Sequence, residues 1–204
     1  MAQKGSGKGQ GWERDLSRRL SLWVSNGKSK NVFWRSRASG AFSTNRMKAG
    51  KAALRGQVGD ISLLDQESEE GKWFLSRFAI EAKFERPKNM WPGAEGWLRY
   101  EKYWHKITKE ATSAKVLPWL ILKTNFQPPL LLVSSRVFRS IWLHLVNENP
   151  RASNKYAAQR RYTVHLNEPA GIEIVFLEDF LQRCPFKLFR EAIDGCSGKS
   201  GESR

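Results

Sequence analysis

Glu81 and Lys83 stand two residues apart in the stretch Phe78-Ala79-Ile80-Glu81-Ala82-Lys83-Phe84. Read as a β-strand, this stretch puts Phe78, Ile80, Ala82 and Phe84 on one face and Glu81 with Lys83 on the other, because side chains two apart share a face. A carboxylate and an ammonium are thereby held side by side. Upstream, Gly59-Asp60-Ile61-Ser62-Leu63-Leu64 is a second short apolar run with an acid at its entrance, and residues 66–72 are polar enough for a hairpin loop. Antiparallel pairing of the two strands would bring Asp60 beside Glu81. Two carboxylates and a lysine converging at a strand end suit an oxygen-ligated divalent cation, with Lys83 as a point charge near the bound water or a scissile phosphate. The plainer alternative is a surface ion pair, worth about 0–1 kcal/mol.

Other elements must position these groups. From about Trp12 to Val24, Leu16, Leu20, Trp23 and Val24 form one apolar helical stripe, with Arg14, Arg18 and Arg19 turned to solvent. Glu13 lies on that core-facing stripe, where a carboxylate needs a cation or a metal; equally, it stands in the first helical turn, where the macrodipole favours negative charge. Val32-Phe33-Trp34-Arg35-Ser36-Arg37 reads as the first strand. The basic segment 43–58 carries Arg46, Lys48, Lys51 and Arg55, which could line a nucleic-acid channel or simply form a solvated surface. Pro87, Pro92 and Gly93 precede a long helix from about Ala94 to Ala114, in which Trp97, Tyr100, Trp104, Ile107, Ala111 and Ala114 recur at core-packing spacing. Strands are expected at Val116–Lys123 and Leu130–Val133, joined by the turn at Gln127-Pro128-Pro129, then a helix at Ser135–Val146. Two more strands, Tyr162–Leu166 and Ile172–Phe176, are followed by a short amphipathic region.

The 204 residues include 35 Lys and Arg against 20 Asp and Glu, a net charge of +15 that favours a polyanionic partner such as nucleic acid. No apolar run is long enough to span a bilayer, and the first residues lead into polar sequence, so a cytoplasmic, nucleoid-associated protein with no membrane partner is expected. Cys184 and Cys196 sit in different settings and suggest neither a disulfide framework nor a zinc motif. Gly5-Ser6-Gly7-Lys8 has the wrong glycine spacing for a phosphate-binding loop, and residues 1–11 read as a flexible basic arm able to touch a phosphate backbone through Lys8.

The order of helix with inward Glu13, strand, strand beginning at Asp60, strand bearing Glu81-x-Lys83, helix and strand resembles the PD-(D/E)xK nuclease superfamily, with Gly59 where the superfamily name has proline. Lys8-Gly9-Gln10-Gly11-Trp12-Glu13-Arg14, and Arg35 followed by Ser39-Gly40, are similar to signatures of archaeal-type and phage Holliday junction resolvases. The resemblance implies a restriction-endonuclease-like α/β fold, a mixed sheet flanked by helices, with the core at 12–133. Residues 134–194 would then form an α+β extension packed on that core, and 195–204 a disordered tail. It implies Asp60, Glu81, the Ala82 carbonyl and Glu13 as ligands to one or two Mg²⁺ or Mn²⁺ ions. Lys83 would act on the water or the developing charge, and Ser39 would lie near the scissile phosphate. It further implies a homodimer acting on DNA, branched DNA included; Lys8, Arg14, Arg35, Arg37, Arg46, Lys48, Lys51 and Arg55 are the basic residues expected along the nucleic-acid backbone. A nucleic-acid-binding protein without catalysis and an RNA-processing nuclease are the alternatives that charge alone leaves open.

Overall fold

The computed structural model describes residues 6–36, 49–50, 58–85, 94–148, 161–164 and 171–198. Its contacts divide the chain after Pro129 into two compact units.

In the first unit, helix α1 spans Ser6–Val24. It buries Trp12, Leu16, Leu20, Trp23 and Val24 along one stripe, together with Ser17 and Ser21. These two hydroxyls are satisfied inside the helix, donating to the carbonyls of Glu13 and Ser17 at 2.7 Å each. Ser21 Oγ also accepts the Phe33 N–H at 2.8 Å, which ties the helix to strand β1, Phe33–Arg35. The helix begins six residues before the expected start, so Lys8, expected in a flexible basic arm, stands on an exposed helical turn. The Gly, Lys and Ser residues there suggest a free segment by composition, and the helix runs through them from the apolar stripe that begins at Trp12.

Strand β1 pairs antiparallel with β2, Ile61–Leu63, in a register that sets Trp34 opposite Ser62. The residues expected to form a hairpin loop instead lead into helix α2, Glu69–Arg77. Ser68 caps it by accepting the Gly71 N–H, Glu69 and Glu70 occupy the first turn, and Arg77 the last, all favourable to the helix dipole. Strand β3, Phe78–Glu85, follows without a break and runs parallel to β4, Leu117–Thr124. The link between the Asp60 segment and β3 is therefore also parallel, through a single bridge between Gly59 and Ile80, and not the antiparallel pairing expected. Helix α2 is what permits this, because a crossover returns the chain in the same direction where a tight hairpin cannot. Helix α3, Ala94–Ala114, joins β3 to β4 and packs on both.

Apolar and polar faces of β3 then divide the work. Phe78 and the β4 residue Trp119 meet Phe74 of α2 and Trp23 of α1 in an aromatic cluster with ring centroids 5.1–6.2 Å apart. Trp119, Phe74 and Phe78 are at most 1% exposed. The other face carries the ionisable residues toward α3.

In the second unit, β5 (Leu130–Ser134), β7 (Ile172–Phe176) and β6 (Arg161–Val164) form an antiparallel set with β7 in the middle. Helix α4, Ser135–Glu148, packs on β5, β7 and the last helix, α6, Phe186–Gly198, and the short α5, Leu177–Arg183, packs on β7. Helix α6 continues past residue 195, so the first residues of the expected tail are helical. Parallel pairing in the first unit and antiparallel pairing in the second give the mixed α/β architecture of the restriction-endonuclease-like class.

Candidate active site

Asp60 enters through the turn at Gly59, where φ is +88°. Its backbone is bonded on both sides: the N–H donates to Ile80 O at 2.6 Å and the carbonyl accepts the Ser36 N–H at 2.8 Å. Its side chain is anchored too, with Oδ2 accepting the Ala82 N–H at 2.8 Å. Asp60 is 5% exposed and Glu81 only 1%. Carboxylates this deeply buried require compensating charge. Lys83 Nζ supplies it to both, lying 2.6 Å from Glu81 Oε1 and 3.6 Å from Asp60 Oδ2. Burial on its own would lower the lysine's pKa, but attraction to Asp60 and Glu81 outweighs it and holds the ammonium above the ordinary lysine value.

Three of the expected groups, Asp60, Glu81 and Lys83, are thus brought together, and Ala82 belongs to the constellation through its N–H. Glu13 lies at its margin, with Oε2 3.5 Å from Nη1 of Arg35. Its pKa is raised, first by burial and then by the negative charge of Asp60, with Arg35 and Lys83 acting in the opposite sense. Arg35 is accordingly engaged with Glu13, whereas Arg14 and Lys8 are exposed on α1. Ser39, Arg37, Arg46, Lys48, Lys51 and Arg55 lie outside the described residues. The nearby acids have other partners: Asp65 accepts the Glu67 N–H at 3.0 Å, and Glu85 accepts the Tyr103 hydroxyl at 2.6 Å.

Helix α3 contributes groups that strand periodicity alone does not reveal. Lys106 Nζ is 2.8 Å from Glu81 Oε1, and Tyr103 lies beside Lys83, whose Nζ is 5.7 Å from the ring centroid. The signal available in the sequence is spacing: Tyr103, Lys106 and Glu110 recur at three and four residues, a second stripe beside the apolar one.

The donor set can be tested against a cation. Glu81 Oε2 is buried and has no hydrogen-bond partner among the described residues, an uncommon condition for a carboxylate oxygen. A hard divalent cation would satisfy it, and Asp60 offers a second anionic oxygen donor close by. No group of three His, Cys, Asp or Glu gathers into a ready cation site among the described residues. Glu13 therefore does not complete a three-carboxylate cluster, and the remaining positions would fall to water, backbone carbonyl or substrate, as suits Mg²⁺.

A helix presenting Glu13, a turn presenting Asp60 and a strand presenting Glu81 and Lys83, on a mixed α/β scaffold, are consistent with the PD-(D/E)xK superfamily. Residues 4–186 match the family model described as "Phage putative PDDEXK endonuclease", and the chain belongs to that family. The match continues well beyond β4, so the region from β5 through α5 is part of what the family shares. Neither a curated protein nor a solved structure matches the chain. Among the described residues, no helix is long and apolar enough to cross a membrane.

Proposed function

We propose that this protein is a divalent-cation-dependent endonuclease that hydrolyses DNA phosphodiester bonds, four-way junctions among them. The observation that carries the reading is the trio of buried Asp60 and Glu81 with half-buried Lys83, in which one Glu81 oxygen is left without a hydrogen bond among the described residues. Asp60 and Glu81 would hold Mg²⁺ or Mn²⁺, with the Ala82 carbonyl and, from the margin and through water, Glu13 completing the shell. Such an ion supplies Lewis-acid stabilisation of the phosphate and a lowered pKa for the attacking water. The chain's own groups do the rest. The Ala82 N–H fixes the Asp60 rotamer, and Lys83, kept charged by its two carboxylates, faces the negative charge that develops on the phosphorane oxygens. Arg35 would serve substrate phosphate from the Glu13 pair.

Room for substrate supports the reading. An open concavity of about 460 Å³ is lined by Trp34, Arg35, Ser62, Leu63 and Leu64, on the same two-stranded ribbon that leads from Asp60. It offers an indole for base stacking and a guanidinium for phosphate. Lys8 and Arg14 on α1, with Arg37, Arg46, Lys48, Lys51 and Arg55, would extend the contact along the backbone, with Ser39 near the scissile bond. Junction cutting rests on the likeness of Lys8 to Arg14 and of Arg35 with Ser39-Gly40 to resolvase signatures, and it carries with it a symmetric homodimer that places two sites on opposed strands.

The deciding experiment incubates the protein with labelled four-way junction, linear duplex, single-stranded DNA and matched RNA, in Mg²⁺ or Mn²⁺, beside Asp60→Ala and Lys83→Ala. Paired symmetric nicks on the junction, lost in both variants, are expected. Equal cutting of every DNA removes junction specificity. Salt-sensitive binding without cleavage in any metal removes the catalytic reading altogether.

A further inference from the structure

We propose that Lys106 is an internal counter-cation that holds Glu81 until a divalent cation binds and is then handed to Glu110. The inference rests on the reading that Asp60 and Glu81 hold the cation. Glu81 Oε1 carries two ammonium groups, Lys83 at 2.6 Å and Lys106 at 2.8 Å, while Oε2 carries none. One positive charge neutralises a carboxylate. Lys83 is shared with Asp60, so together the two ammonium groups balance two carboxylates; a divalent cation arriving at Oε2 meets both and makes one of them surplus.

One of the two must yield, and their surroundings differ. Lys83 is held by Glu81, by Asp60 at 3.6 Å and by the Tyr103 ring, on a buried strand. Lys106 has one close carboxylate, and a second stands one helical turn further along α3: Glu110, whose Oε1 lies 4.0 Å from Nζ. Glu110 is 3% exposed, too buried for its charge to be left to solvent. A rotation about the flexible lysine stem moves the ammonium from Glu81 to Glu110 without exposing either carboxylate uncompensated. The cation therefore competes with a charge built into the protein, and Lys106 sets its affinity as a positioning residue acting through Glu81.

The test is calcium binding by calorimetry, with melting temperature in chelator and in saturating Ca²⁺, on the full-length chain. Asp60→Ala checks the cation site; Lys106→Met, Lys106→Arg and Glu110→Gln check the exchange. Lys106→Met should bind Ca²⁺ at least about tenfold tighter, since it removes a partly screened unit charge beside the ion. It should also melt lower than wild type in chelator, with the deficit shrinking in Ca²⁺. Lys106→Arg should stay near wild type, and Glu110→Gln, which removes the destination, should bind Ca²⁺ more weakly. Wild-type binding that is lost in Asp60→Ala but unchanged or weakened in Lys106→Met overturns the exchange and leaves the site intact. Absence of Ca²⁺ binding in both wild type and Lys106→Met overturns both. If Lys106→Met does not fold, the Glu110→Gln result decides: affinity equal to or above wild type refutes the hand-over.

Discussion

Replacing Gly59 by alanine should displace Asp60 more than it disturbs anything else. At φ = +88° an L-residue is strained, a cost of roughly 1–2 kcal/mol. Contact adds to it, because a Cβ on Gly59 would lie 2.3 Å from Ile80 O and 2.8 Å from both Ile80 C and Ile80 N. These are backbone atoms of strand β3 and cannot swing aside. The carbonyl oxygen it would strike is the one that accepts the Asp60 N–H at 2.6 Å. Relieving the overlap pushes the Asp60 segment off β3, at a further cost of about 1–3 kcal/mol typical of overpacking. The sum, about 2–5 kcal/mol, is a large part of a domain's usual stability. Gly27 is the control, since its φ is +82° but nothing lies within 4 Å of its added Cβ. Equilibrium urea unfolding of Gly59→Ala and Gly27→Ala isolates the contact contribution as their difference, and Ca²⁺ titration reports the displacement of Asp60. Equal, small losses for both variants, with Ca²⁺ binding intact, would refute the reasoning. The same geometry accounts for the missing proline of the superfamily name: proline holds φ near −65° and could not make this turn.

Two further outcomes follow from burial. Glu13 has its pKa raised above the ordinary 4.5 by burial and by Asp60, so the folded state holds its proton to higher pH than the unfolded chain does. Stability then falls as pH rises from about 4.5 through the raised value, and Glu13→Gln should flatten that fall in urea titrations run in chelator. Cys184 is 2% exposed and burial pushes its thiol well above the ordinary range. In a Cys196→Ser background it should resist a thiol-specific reagent at pH 8 and react fully in denaturant; rapid native labelling would contradict the packing of α5 on β7.

What the sequence discloses depends on how local the signal is. Period-two alternation placed Glu81 and Lys83 on one face because that relation is settled within three residues, and the spacing of Tyr100, Trp104, Ile107 and Ala111 disclosed α3 for the same reason. Strand direction is not local. Nothing in Asp60–Leu64 or Phe78–Phe84 distinguishes parallel from antiparallel pairing, and the decision lies in whether residues 66–77 make a turn or a helix. That information was present in Ser68-Glu69-Glu70, a cap followed by first-turn acids, but the polarity of the segment also fits a loop. Lys106 escaped because its partner is 25 residues away on another element, so the spacing of Tyr103, Lys106 and Glu110 marks a stripe on α3 without showing what that stripe faces.

The arrangement also explains why so much of the unit is spent on holding two carboxylates. Burying Asp60 and Glu81 opposes folding, and the two lysines offset that cost only while the geometry is kept. The aromatic cluster on the opposite face of β3 supplies the rigidity: Phe78 and Trp119 fix the strand pair against α1 and α2, while Gly59 lets the Asp60 turn abut the same strand. A site made only of charges would relax toward water. Here the apolar face of one strand makes the polar face keep its shape, so core substitutions at Phe78 or Trp119 bear on the carboxylates without touching them.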